Sequence, residues 1–235
     1  MKLGIVGASG FIGRHLVSYF QSAVPIYRSD VDLLDSEAVK DYFGRNKFDV
    51  IIHCAVIGGG RLCDKNPSIL DANLRMFFNV REATSARIIY LSSGAALCGA
   101  PPRDPYGFSK YVIEKCPGVQ IVRIWGCFGP DEPETRFFAT AKRDGHVNIH
   151  KDCRFDFCHV DDLCRIVEHA ITHPGPPINA IYPGPKHLLS EIAIIAGIPY
   201  TILGSGEDYI GQYNAEGVKL PTLEQQIKRT ITHKL

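Results

Sequence analysis

Apolar positions along the chain fall into short runs separated by stretches with one apolar face, and the two kinds alternate. Leu3–Val6 is a short apolar run ending in glycine, which predicts a buried strand. Ile12, Leu16 and Phe20 then recur every four residues, the spacing of one helix face. Pro25–Tyr27 predicts a second strand. Asp35 is placed to cap a helix through Phe43, with Glu37 in its first turn and Gly44 as its stop. Val50–Ala55 is almost wholly apolar, as expected of a central parallel strand covered on both faces, and Gly58-Gly59-Gly60 breaks it. Asn66-Pro67 opens a helix whose inner face reads Ile69, Leu70, Asn73, Met76, Phe77 and Val80. Ile88–Ser92 predicts a strand, Tyr106–Cys116 a short helix closed by Pro117-Gly118, and Val119–Trp125 another strand. Such regular alternation implies a parallel sheet in a doubly wound α/β fold.

After Gly129-Pro130 the texture changes. Helices are expected at Glu134–Asp144, Asp162–His173 and near Leu188–Ala196. Short strands are expected at Val147–His150, Phe155–His159, Ala180–Tyr182 and Tyr200–Leu203. Thr222 with Gln225 makes a capping box for a final helix. Residues 1–130 therefore read as a nucleotide-binding domain, and 131–235 as a small substrate-binding lobe interleaved with the end of the sheet.

The bulk numbers exclude several classes. The 235 residues are 45% hydrophobic and 22% charged with a net charge of +1, an ordinary globular balance with no basic patch for nucleic acid or an acidic membrane. No apolar run approaches the roughly 20 residues that span a bilayer, and the N-terminus lacks a signal-peptide pattern, so the expectation is a cytoplasmic protein. The eight cysteines (54, 63, 98, 116, 127, 153, 158 and 164) contain no Cys-x-x-Cys pair and read as buried thiols.

The first chemistry lies at the start. Gly7, Gly10 and Gly13 follow the opening strand and lead into a helix, so backbone N–H groups and a positive helix end are placed for a pyrophosphate. That context makes the domain Rossmann-like. Tyr106 and Lys110 are four apart on a predicted helix and share a face. A phenol titrates near 10. Bringing it down by about 3 units asks for roughly 4 kcal/mol from a neighbouring ammonium. A tyrosine so tuned can exchange a proton with an alcohol or ketone. Ser92 and Ser93 end the preceding strand, where doubly wound sheets face their ligand, and either hydroxyl could hold the same substrate oxygen. Ser93 is favoured. Cys153, Cys158 and His159 read as core, with no metal site expected, and Asp161-Asp162 read as helix caps.

Together these residues resemble the short-chain dehydrogenase/reductase family, in its extended, nucleotide-sugar branch, most of all the fucose-synthase-like 4-keto-sugar reductases. Gly7-x-x-Gly10-x-x-Gly13 and Tyr106-x-x-x-Lys110 match the family's two signatures. The segment Asp32–Phe43, His53-Cys54-Ala55 with the glycine run, Phe128-Gly129-Pro130 and His159-Val160-Asp161-Asp162 are similar to further family segments. The resemblance implies that Gly7, Ser9, Gly10, Phe11 and Ile12 hold the pyrophosphate, Asp32 and Leu33 the adenine, and Cys54 and Ala55 the adenosine side. Lys110 would bind the nicotinamide ribose and tune Tyr106. Gly94, Trp125, Arg136 and Arg154 would face the substrate, Trp125 being equally readable as core. Arg28 and Ser29, where an acidic residue would favour NAD, suit a 2′-phosphate, so NADP(H) is favoured over NAD(H), with Arg14 as a helper.

The departures narrow the chemistry. Gly94 stands where fucose synthases carry a cysteine, Thr135-Arg136 where their histidine falls, and Gly94-Ala95 where a dehydratase shows Asp-Glu. Gly126 replaces an asparagine, and Arg154 lies one place from the expected arginine, which aligns with Phe155. The expectation is an NAD(P)H-dependent reductase of a nucleotide-linked 4-keto-6-deoxy sugar, without the epimerase step. The alternatives are a 4-epimerase with tightly bound NAD, and a non-catalytic NAD(P)-binding regulatory protein. The family also implies a homodimer through the Tyr106 helix.

Overall fold

The computed structural model describes residues 1–59, 66–99 and 101–231; Gly60 of the glycine run and Cys63 lie outside the described residues. The chain forms two compact units, Met1–Arg123 with Val167–Pro177, and Ile124–Ile166 with Ile178–Leu235.

In the first unit, strands β1 (Leu3–Val6), β2 (Val24–Ile26), β3 (Val50–His53), β4 (Arg87–Ser93) and β5 (Val119–Ile124) lie side by side in the order β2-β1-β3-β4-β5. β1 runs parallel to β2 and β3, and β3 to β4. Parallel neighbours need a crossover, and α1 (Phe11–Tyr19), α2 (Ser36–Arg45), α3 (Ser68–Ala83) and α4 (Pro105–Glu114) supply them in turn. This is the doubly wound α/β fold that the alternation predicts. β3 is buried throughout, and Ile51 and Ile52 are inaccessible to solvent, each stabilising the fold by about 1.5–3 kcal/mol. Val39 and Phe43 of α2 and Met76 and Val80 of α3 share one core cluster with Val6 and Ile51. Phe77 of α3 and Ile113 of α4 share another with Ile88 and Tyr90 of β4.

The strand order places the site. From β1 the chain goes to β2 on one side and returns to β3 on the other, so the carboxyl ends of β1 and β3 form the switch point where such sheets bind ligands. The two ends are joined there by the Cys54 N–H, which donates to the Val6 carbonyl at 2.9 Å.

Asp35 caps α2 as expected, accepting the N–H groups of Glu37 and Ala38, a contribution of about 1 kcal/mol. Gly44 does not stop that helix. An added Cβ would meet nothing within 4 Å, so the glycine is simply carried, and Asn46 ends the helix with its side chain on the Tyr42 carbonyl.

The second unit holds β6 (Gly126–Phe128), α5 (Phe137–Asp144), β7 (Val147–Ile149), β8 (Phe157–His159), α6 (Val160–Thr172, which continues into the first unit), β9 (Ile178–Ala180), α7 (Leu189–Ala196), β10 (Tyr200–Ile202) and α8 (Leu223–Thr230). β6 pairs with β8 and β7 with β10, both parallel. β8 starts two residues later than its apolar run suggests, because the N–H groups of Phe155 and Asp156 donate to His187 and Tyr209 instead. Asp162 is not a cap. It lies within the first turn of α6, where its carboxylate accepts the Tyr182 hydroxyl at 2.7 Å and pairs with Arg165 at 3.0 Å. Thr222 and Gln225 form the predicted capping box of α8. The thiols divide: Cys127, Cys153, Cys158 and Cys164 are buried, whereas Cys54 and Cys116 are half-buried and Cys98 is exposed. The last three correct the expectation of uniformly buried thiols.

Candidate active site

The glycine turn is built by close packing. Gly7 has φ +81°, and a Cβ there would fall 2.6 Å from the Ala55 backbone nitrogen. One on Gly13 would fall 2.2 Å from the Gly7 carbonyl. These two glycines let α1 and the loop after β3 close on the turn. Gly10 differs. It is exposed, its φ of −70° suits any residue, and an added Cβ would meet only the Gly7 oxygen at 3.4 Å. Internal packing therefore does not explain Gly10, which leaves a bare backbone at the rim of the turn. Gly10 is also the N-cap of α1 and offers no side-chain hydrogen bond to its first turn. Exposed Ser9 and half-buried Phe11 and Ile12 complete this rim. The residues present fit the pyrophosphate of a dinucleotide.

At the end of β2, Tyr27, Arg28 and Ser29 are exposed. Arg28 has 83% of its side chain open to solvent and meets Asp32 at 3.6 Å, a loose surface pair of little worth. Asp30 turns back to accept the Tyr27 N–H at 2.7 Å. Asp32 accepts the Leu34 N–H, and Leu33 is buried with its carbonyl taking Asn79. Cys54 and Ala55 follow β3 half-buried, with Val56 and Ile57 exposed beyond them.

Tyr106 and Lys110 project from α4 as their spacing requires. Asp104 caps the helix by accepting the Gly107 N–H at 2.6 Å, and Pro105 occupies its first turn. Gly107 is demanded by fit, since a Cβ would lie 2.6 Å from Asp104 and 2.9 Å from the Ala95 carbonyl. That contact seats α4 against the Gly94–Leu97 3-10 turn that follows β4. Tyr106 is half-buried, and a Cβ on Gly59 would be 3.2 Å from its hydroxyl oxygen, so the loop after β3 lies against the phenol. Lys110 is 2% exposed. Its Nζ donates to the Leu91 carbonyl at 2.8 Å, 4.4 Å from the Tyr90 ring centroid and 5.6 Å from that of Tyr106. Burial brings the Lys110 ammonium down to about 7, opposed by Cys54 and then by Glu114.

The two serines part company. Ser92 donates to Glu114 at 2.6 Å, whereas Ser93 caps the 3-10 turn by accepting the Ala95 N–H at 3.2 Å. Gly94 is buried and begins that turn. Thus the first unit brings together Gly7, Cys54, Ala55, Gly59, Ser93, Tyr106 and Lys110 around the carboxyl ends of β1, β3 and β4.

Trp125, Arg136 and Arg154 belong to the second unit. Trp125 is 8% exposed and packs so closely on Gly211 that a Cβ there would be 2.5 Å from the indole. Arg136 donates to the Cys127 carbonyl at 2.7 Å, and Arg154 pairs with Asp208 at 3.2 Å on the surface. A side chain at Gly126 would fall 2.5 Å from the Phe157 ring, so there is no room here for the asparagine that the resemblance leads one to expect. Among the described residues no cluster of three His, Cys, Asp or Glu side chains is arranged to hold a metal.

Three residues carry more than the sequence analysis assigned them. Asn73, read only as part of an apolar face, clasps the Ile57 backbone, accepting its N–H at 2.8 Å and donating to its carbonyl at 3.0 Å. It also donates to Ser109 of α4 at 3.2 Å. One amide thereby ties the loop against Tyr106 to the helix that carries Tyr106. A polar residue amid an apolar stripe is the signal that could have found it. His53 is buried with both ring nitrogens lacking a hydrogen-bond partner, and burial with the Lys110 charge lowers it to about 4, so it is neutral. Glu132, in the second unit, is pushed up to about 7 by burial, with Arg136 opposing.

The model of the NAD dependent epimerase/dehydratase family matches residues 3–182. No curated protein matches the chain. Among solved structures, it is similar to RMD from Pseudomonas aeruginosa complexed with NADPH, at 21% identity over 100% of this chain and 99% of that one, with a TM-score of 0.78. It is also similar to the UDP-glucose 4-epimerase of Thermotoga maritima with UDP-glucose, at 19% identity over 99% and 98%, with a TM-score of 0.81. A third is the GDP-L-fucose synthetase of Naegleria fowleri bound to NADP, at 17% identity over 98% and 91%, with a TM-score of 0.73. At these identities the likeness is one of fold.

Proposed function

The chain belongs to the NAD dependent epimerase/dehydratase family, and from that premise we propose that it is an NAD(P)H-dependent reductase of a nucleotide-linked 4-keto-6-deoxy sugar. The observation that carries this reading is the placement of Tyr106. Its phenol lies against Gly59 beside the loop that meets the glycine turn, on a helix whose Lys110 is anchored to the β4 backbone.

Gly7, Ser9 and Gly10 would hold the pyrophosphate of a reduced nicotinamide dinucleotide, which would supply the hydride taken up by the sugar carbonyl carbon. Tyr106 gives its phenolic proton to the sugar carbonyl oxygen, so that ketone becomes alcohol, and recovers a proton from solvent. Ser93 holds that oxygen. Ser92 is less suited, because its one proton is already given to Glu114. Lys110, while charged, stabilises the tyrosinate left behind and orients the nicotinamide ribose. Gly94 offers no side chain for a second acid or base, which supports reduction without epimerisation or dehydration.

The test is a panel of GDP-, dTDP-, UDP- and CDP-4-keto-6-deoxy sugars with NADPH or NADH, followed by nicotinamide absorbance. One member is expected to consume the reduced cofactor stoichiometrically. Interconversion of 4-epimers without net consumption would identify an epimerase. Cofactor binding with no turnover of any sugar would identify a nucleotide-binding protein without activity.

For the cofactor, the exposed and loosely paired Arg28, with Ser29 beside it, supports NADP(H). A hydrogen bond to a charged group contributes about 1.5–3 kcal/mol, so Arg28→Ala is expected to weaken NADPH binding at least about tenfold. NADH affinity should stay unchanged. Equal weakening of both, measured by cofactor fluorescence, would remove Arg28 from 2′-phosphate recognition.

A further inference from the structure

Tyr106, Lys110 and Glu114 follow one another at four-residue spacing down one face of α4. Glu114 is the buried foot of that row, with 8% of its side chain exposed. Its carboxylate accepts Ser92 Oγ at 2.6 Å, and Arg123 of β5 grips it from the other side, Nε at 3.0 Å from both oxygens and Nη2 at 2.7 Å. One turn nearer the phenol, Lys110 Nζ reaches the Leu91 carbonyl. Two successive turns of the helix are thus tied to two successive residues of β4, and the lower tie is anchored in turn to β5.

We propose that Glu114 is a positioning residue acting through Lys110: held by Ser92 and Arg123, it fixes α4 on the sheet and adds a carboxylate one helical turn along from the buried ammonium that Tyr106 depends on. Packing alone leaves a bidentate buried ion pair unexplained, because apolar residues of like volume would hold the helix as well. A buried lysine keeps its proton near neutrality where hydrogen bonds such as that to the Leu91 carbonyl, and nearby negative charge, offset lost hydration. The groups facing Lys110 are the Cys54 thiol after β3, the His53 ring of β3, the Tyr90 ring of β4, and Tyr106 and Glu114 of α4. His53 is neutral, and the two groups that favour the charged lysine are Cys54, the stronger, and Glu114, the one carboxylate among those facing it. The consequence for turnover rests on the reductase reading, but the titration of Lys110 does not.

The test is to follow Lys110 by carbon-13 NMR in ε-labelled protein, its signal assigned by its loss in Lys110→Arg. The midpoint, about 7 in the unaltered chain, is expected to fall by about one pH unit in Glu114→Gln. Glu114→Asp keeps the charge and should leave the midpoint nearly unmoved, although both variants melt at lower temperature. Should Glu114→Gln fail to fold, the neutral pair Glu114→Gln/Arg123→Met restores a packed core and lowers the midpoint as well. On any sugar the panel yields, the alkaline limb of turnover moves down in step. An unmoved Lys110 in the Gln variants, or equal movement in Gln and Asp, would confine Glu114 to holding the fold and overturn the proposal. Because no substrate enters the titration, a silent panel overturns the reductase reading alone.

Discussion

Tyr106→Phe is expected to lower turnover by about a thousandfold while leaving NAD(P)H affinity unchanged. Loss of a general acid usually costs between about a hundredfold and ten-thousandfold. Phenylalanine keeps the ring's volume, so the contact with Gly59 and the Lys110 approach at 5.6 Å survive. Only the hydroxyl is removed. Steady-state kinetics beside cofactor titration separates the effects, and near-normal turnover in this variant would take the proton-transfer role away from Tyr106.

Gly13→Ala is expected to lose both stability and cofactor, whereas Gly10→Ala should lose the cofactor alone. At Gly13 the new methyl would meet backbone atoms that cannot step aside, the Gly7 oxygen at 2.2 Å and the Ala8 Cα at 2.9 Å. Overpacking of this kind costs about 1–3 kcal/mol, and α1 must back away from the turn. At Gly10 the methyl has room within the protein and projects where the pyrophosphate would lie. Thermal melts with and without NADPH check the pair. A Gly10→Ala protein that melts normally and still binds NADPH as tightly as before would move the pyrophosphate elsewhere.

The central sheet was legible in the sequence because β1 and β3 at its middle are buried throughout. β1 forms over Leu3–Val6 as read, and β3 ends two residues before its apolar run does. The second unit was less so. Its strands are three residues long, too short for periodicity to mark their ends, and β6 was hidden between an apolar run and Gly129-Pro130. Gly44 misled because an exposed helical glycine costs only about 1 kcal/mol and need not end anything. In the candidate site, Tyr106 and Lys110 could be paired by spacing alone. Glu114, one turn further on, looks like any solvated acid until β4 and β5 supply Ser92 and Arg123. Long-range partners such as Asn73 with Ile57, and Asp162 with Tyr182, depend on crossovers that no local pattern encodes.

The most direct test of hydride transfer at this site is mass spectrometry of the sugar after single turnover with NADPH or NADH carrying deuterium at both C4 positions. The expected result is a single deuterium on the new carbinol carbon of one nucleotide-linked 4-keto sugar, absent with Tyr106→Phe. A sugar converted without gaining deuterium, or one labelled as fully by Tyr106→Phe, would contradict the assignment.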